Sequence, residues 1–171
     1  GEGGVIVTNS KCVYERAKSY RNLCHGKERF VHDELGYNFR MSNLQAAVVL
    51  AQLEQIHEFT KIKQNNRDLY LKYLPSEVLP LFNVEVPWMY LIKTRLDAGE
   101  IVKAMFEKGI ECRRFFYPLH RQPCFGTGIP GKFPIAQNFW ESAFYLPSGL
   151  NLTEEDVIYV CEALRSILRS F

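Results

Sequence analysis

From Ser42 onward the sequence carries a helical pattern that cannot stand alone in water. Ser42 and Gln45 have the spacing of a capping box, in which the first side chain and the fourth each satisfy a free backbone N–H. Leu44, Ala46, Ala47, Val48, Val49, Leu50, Ala51 and Leu53 then set apolar side chains nearly all round the axis. Such a helix must be covered on more than one side. The stretch from Phe59 to Leu74 returns to one apolar face, with Ile62, Leu69, Tyr70 and Tyr73, and Pro75 marks its end. One long helix is predicted, doubly buried at its start.

The chain of 171 residues, 47% of them hydrophobic, is large enough for one sizeable core. A net charge of +2 with dispersed Lys and Arg does not suggest a nucleic-acid platform. No apolar run is long enough to span a bilayer, and the first residues lack the charged start of a signal peptide. Five cysteines without CxxC spacing argue against a disulfide framework or a zinc knuckle and fit a reducing cytoplasm. Cys12, Cys24 and Cys161 fall in helical patterns and read as small core residues.

Val5-Ile6-Val7, between glycines and Thr8-Asn9-Ser10, has the signature of a buried strand whose partners are elsewhere. Ser10 can cap a helix from Lys11 to about Cys24, stopped by His25-Gly26. A polar loop, 25–41, follows. It carries His25, Lys27, Arg29, His32, Asn38 and Arg40, donors that suit an anion or simply solvent. Beyond Pro75, residues 88–94 read as a strand, Asp97 with Glu100 opens a helix that Gly109 stops, and 110–113 could form a short strand. The loop 113–133 combines Arg113, Arg114, Phe115, Phe116, Tyr117 and His120. Its guanidinium groups could clamp a diphosphate, or its aromatics could fold back on the core. Pro134 suits the first turn of a helix to about Phe144, 145–147 is extended, and Thr153 with Asp156 begins a last helix with Val157, Val160, Cys161, Leu164 and Leu168 on one face. The class is α+β, a small sheet of short strands covered by helices. No catalytic triad or HExxH motif occurs, and histidines 25, 32, 57 and 120 lack metal-ligand spacing.

Taken in order, GEGGVIVTN, RNLCHG, LGYNFRMSNLQAAVVLAQLEQI, the Arg67–Tyr70 stretch and YPLHRQPCF resemble the DegT-type sugar aminotransferases, pyridoxal-phosphate enzymes of fold-type I. The resemblance implies the C-terminal part of such an enzyme. Residues 1–41 would be a remnant of the large cofactor domain. Residues 42–171 would be the small domain, a short, mostly antiparallel sheet under helices. The Schiff-base lysine of the family lies just before the GEGG turn, so the chain alone is expected to bind no cofactor and to lack activity. By the same resemblance Asn38, in the GYN motif, reaches the cofactor phosphate of the neighbouring subunit of a homodimer. The ECRRFFYPLHRQPCF segment and PWMY look most like the perosamine-synthase branch, which aminates a GDP-linked 4-keto-6-deoxy sugar with glutamate as donor. Trp88, Arg113, Arg114 and His120 then fall on the nucleotide-sugar side. Other readings are a non-catalytic module that dimerises or binds an intact aminotransferase subunit, or a remnant with no function of its own.

Overall fold

The computed structural model of the chain describes residues 3–28, 30–126 and 130–171. Gly1 and Glu2 of the GEGG turn, the anion-donor candidate Arg29, and 127–129 of the second loop lie outside the described residues. The chain divides into two compact units, Gly1–Ile56 and His57–Phe171.

The first unit contains α1 (Lys11–Arg21) and α2 (Asn43–Glu54) with the loop between them. Ser10 caps α1 as expected, its side chain accepting from the Val13 N–H. The helix stops at Asn22, short of Cys24, because Leu23 and Cys24 turn left-handed at φ 66° and 50°. Cys24 is buried in that turn, whereas Cys12, read from the sequence as core, is exposed on α1. Val5, Ile6 and Val7 form no strand and are exposed, since no described segment offers them a ladder.

The predicted long helix is realised as α2 and α3 (Ile56–Tyr73), separated at Gln55, whose N–H donates back three residues to Gln52. The Ser42–Gln45 capping box is formed in full. The expected double burial is not found, for no residue of α2 is buried and Leu44, Val48, Val49, Leu50 and Leu53 are exposed. The pattern requires a cover that the described residues do not provide, and an apolar surface of this kind drives association. The chain is therefore expected to self-associate at micromolar concentration. Val49→Asp should shift its sedimentation toward monomer, and a wild-type monomer indifferent to that change would count against this.

The second unit is built on a four-stranded antiparallel sheet in the order β1-β2-β4-β3. Its strands are β1 (Leu79–Pro80), β2 (Tyr90–Lys93), β3 (Arg113–Arg114) and β4 (Ala143–Leu146). The helices α4 (Ala98–Glu107), α5 (Pro134–Ser142) and α6 (Glu154–Leu168) complete it. The strand expected at 88–94 is confined to β2, and that at 110–113 moves to β3 because Ile110 is drawn into the core. Phe144, expected at the end of a helix, lies in β4, where its ring is fully buried. Asp97 alone caps α4, accepting from Gly99 and Glu100, and Gly109 at φ +76° ends that turn. Thr153 and Asp156 cap α6 reciprocally, which holds the Asp156 carboxyl below its usual range through the Thr153 N–H. On one face Tyr90, Ile92, Phe144 and Leu146 pack against Ile101 and Met105 of α4, Val157 and Leu164 of α6, and Tyr70 of α3.

Candidate functional site

The loop between α1 and α2 is held by its own backbone. Asn22 bridges Asn38, and His25 bridges His32. Tyr37 donates to the Tyr20 carbonyl at 2.8 Å, Leu23 to the Tyr37 carbonyl at 3.2 Å and Phe39 to the Arg21 carbonyl at 3.2 Å. Side chains reinforce this frame. His32 Nδ1 donates to the Leu23 carbonyl at 2.7 Å, which fixes its proton on that nitrogen. Arg16, Tyr20 and Glu34 form one hydrogen-bonded cluster. Gly36 is placed by contact, since a Cβ there would lie 2.3 Å from the Leu23 carbonyl carbon and 2.4 Å from the Cys24 nitrogen.

The consequence for Asn38 is a fixed backbone and a free amide. The Tyr37 and Phe39 rings stack at 4.9 Å with only 4° between their planes. In extended backbone the side chain between two such residues leaves by the other face. The Asn38 amide is exposed and makes no hydrogen bond with a described residue. It is a neutral donor on a rigid mount, which suits one oxygen of a phosphate. Arg40 is likewise exposed.

In the second unit the two arginines of β3 have different fates. The register pairs Arg113 with Tyr145 and Arg114 with Phe144, so their side chains leave opposite faces. Arg114 is engaged three ways. Its Nε donates to the Trp140 carbonyl at 2.9 Å, its Nη2 meets Asp97 at 3.3 Å, and its guanidinium lies 4.1 Å from the centre of the Trp140 ring. Arg113 is exposed and makes no ion pair or hydrogen bond among the described residues. The loop aromatics fold back, as one of the two sequence readings had it. Phe115 and Phe116 each lie 5.9 Å from Tyr145, and Phe115 lies 5.5 Å from Phe139 of α5. Beside them Phe115, Phe133, Ile135, Phe139 and Lys132 line an open groove of about 550 Å³. His120 packs its ring 4.6 Å from Phe133 at the same loop.

Trp88 is 74% exposed and shares no hydrogen bond or ring contact with Arg113, Arg114 or His120. What holds its segment was not foreseen from the sequence. Arg67 donates to the carbonyls of Val84 at 3.1 Å and Glu85 at 2.9 Å. Lys63 donates to the carbonyls of Trp88, at 3.4 Å, and of Ser148. Burial pushes the Lys63 ammonium below the usual lysine range and the Tyr90 phenol beneath it up to about 12. The available signal was the recurrence of polar Lys63, Asn66 and Arg67 along one side of α3, where Asn66 is buried. No group of three or more His, Cys, Asp or Glu able to hold a metal occurs among the described residues, and no described helix is long and apolar enough to cross a membrane.

Comparison with known proteins agrees with this architecture. The sequence profile of the DegT/DnrJ/EryC1/StrS aminotransferase family matches residues 1–165. GDP-perosamine synthase of Escherichia coli O157:H7 is 37% identical over 96% of this chain and 47% of its own length. The Vibrio cholerae GDP-perosamine synthase is 30% identical over 97% of the chain and 48% of its own length. The chain thus spans about half the length of the curated relatives it matches. Among solved structures, Streptomyces venezuelae DesV in complex with a ketimine intermediate superposes with a TM-score of 0.83 at 23% identity, covering 94% of this chain and 45% of that one. Helicobacter pylori PseC, an aminotransferase of pseudaminic acid biosynthesis, gives 0.81 at 20% identity over 96% of this chain and 48% of its own. These likenesses show the fold-type I aminotransferase architecture. The chain belongs to the DegT/DnrJ/EryC1/StrS aminotransferase family.

Proposed function

We propose that these residues form part of a pyridoxal-phosphate-dependent enzyme that moves an amino group from glutamate to a 4-keto-6-deoxy sugar carried on GDP. The observation that carries this reading is the likeness to two GDP-perosamine synthases along nearly the whole chain. In it, residues 1–41 belong to the cofactor domain, 42–171 form the small domain, and the working unit is a cytoplasmic homodimer. Pyridoxal phosphate, when bound, supplies the electron sink for amino transfer. The residues of this chain bind and orient. The Asn38 amide donates to an oxygen of the cofactor phosphate in the neighbouring subunit. Arg113, exposed and without an ion pair or hydrogen bond among the described residues, faces the diphosphate, and Trp88 and His120 offer flat surfaces to the nucleotide sugar. Arg114 serves the same side from behind, by tying β3 to Asp97 and Trp140.

The test is direct. Joined to an upstream half bearing the cofactor lysine, the chain should convert a GDP-linked 4-keto-6-deoxy sugar and glutamate into the amino sugar and 2-oxoglutarate, read by mass spectrometry. Residues 1–171 alone should convert none. Turnover by the 171 residues alone, or a joined enzyme that accepts no nucleotide-linked keto sugar, would overturn the reading.

A further inference from the structure

α3 sends a row of polar side chains to backbone carbonyls far along the chain. Lys63, Asn66, Arg67 and Tyr70 share one side of the helix by their spacing. Tyr70 donates to the Pro147 carbonyl at 2.9 Å and Asn66 to that of Gly149 at 3.4 Å. Arg67 holds Val84 and Glu85. Lys63 alone reaches both segments, donating to the carbonyls of Trp88 and Ser148.

Its place in the sheet gives this contact its meaning. The β2–β4 ladder ends at the pair Tyr90 and Leu146. Beyond that pair no backbone hydrogen bond among the described residues joins the two segments, although the Ser148 hydroxyl donates to the Met89 sulfur at 3.6 Å, and Trp88 and Ser148 are the second residues out on either side. Carbonyl oxygens past the end of a ladder are open to a donor from elsewhere. The ammonium, with three hydrogens and a flexible stem, can serve both at once. The grip is reciprocal, since the Tyr90 hydroxyl donates to the Lys63 carbonyl at 2.9 Å and the ammonium lies 5.6 Å from the centre of that ring. Arg67 cannot take over, because it ends at Glu85; the Ser148 hydroxyl on Met89 and the buried ring of Pro87 anchor the neighbouring residues, but neither holds the Trp88 carbonyl.

We infer that Lys63 is the positioning residue of Trp88. Its ammonium clamps the Trp88 carbonyl to that of Ser148 where the ladder stops, and so presents the exposed indole to the nucleotide sugar from one fixed place. The inference rests on the proposed role of Trp88 at the substrate.

The chain has two tryptophans, so 5-fluorotryptophan labelling gives two fluorine resonances, assignable with Trp88→Phe and Trp140→Phe. In Lys63→Met the Trp88 resonance should narrow and move toward the free amino acid, while that of Trp140 stays in place and the melting temperature changes little. Lys63→Arg keeps the donors and should retain the wild-type Trp88 resonance. Should Lys63→Met not fold, Lys63→Gln is read in the same way. A Trp88 resonance unchanged by loss of the ammonium overturns the inference, as does a Lys63→Arg spectrum identical to that of Lys63→Met. The substrate reading is tested separately in the joined enzyme. If Trp88→Ala leaves the KM for the sugar nucleotide unchanged, the reading of Trp88 fails. If Trp88→Ala raises that KM severalfold and Lys63→Met does not, the positioning role fails.

Discussion

Gly36→Ala should loosen the frame of the loop between α1 and α2 and leave the rest of the chain folded. The added methyl would sit 2.3 Å from one backbone atom and 2.4 Å from another. Neither belongs to a side chain that could rotate away. Gly36 is not required here for a left-handed conformation, since its φ is not among the positive ones. The cost is steric: residues 36–38 must retreat from 23–24, and the Leu23 to Tyr37 hydrogen bond must break. Overpacking of this kind costs about 1–3 kcal/mol, or roughly five- to 150-fold in a local opening equilibrium. Native-state amide exchange at Leu23 and Tyr37 should accelerate by that factor. Gly4→Ala is the control, for a Cβ there meets nothing within 4 Å. Wild-type exchange in Gly36→Ala would mean that the two segments part at no cost.

How much of this could be read from the sequence depends on how local the cause is. α6 was legible because everything that makes it lies within its own residues: Thr153 and Asp156 at the start, then the stripe from Val157 to Leu164. The start of α1 was legible from Ser10 for the same reason. Its end was not, because the left-handed pair Leu23 and Cys24 is stabilised by Tyr37 and Leu35, more than ten residues on. β1 is two residues long, too short for any alternation, and exists only because β2 lies beside it. Val5-Ile6-Val7 has the composition of a buried strand and no strand partner among the described residues, so composition promised burial that requires another segment. α2 repeats that lesson with a whole helix.

The candidate site divides in the same way. The sequence named Arg113 and Arg114 together, as a pair of cations. The two-residue period of β3 separates them, sending Arg114 into the Asp97 and Trp140 cluster and leaving Arg113 with no ion pair or hydrogen bond among the described residues. The motif could locate the arginines, but only the register of β3 on β4 could assign their work. Lys63 carries no local signal of its role, because a lysine on a helix is ordinarily solvated. Its carbonyl partners lie 25 and 85 residues away, beyond the reach of any local pattern.

In the joined enzyme, Asn38→Ala should weaken cofactor binding about ten- to a hundredfold with fold and dimer intact. A phosphate dianion in a partly dry site needs fixed donors, and a hydrogen bond to a charged group contributes about 1.5–3 kcal/mol. The mount is rigid whether or not the amide is present, since Tyr37 and Phe39 on either side are held through their backbone N–H groups. Alanine removes the donor and leaves the strand. Titration of cofactor by fluorescence gives the affinity, and amide exchange at Tyr37, unchanged, separates this from the Gly36 effect. A mixed dimer then decides which subunit Asn38 serves. One subunit carries Asn38→Ala and keeps its cofactor lysine; the other keeps Asn38 and lacks the lysine. If Asn38 reaches across, the one site with a lysine receives an intact Asn38 from its neighbour, and activity at limiting cofactor returns in half the sites. If Asn38 acts within its own subunit, the lysine-bearing site has lost its donor and the other has no lysine. Absence of recovery, with subunit exchange confirmed by mass, would refute the cross-subunit role.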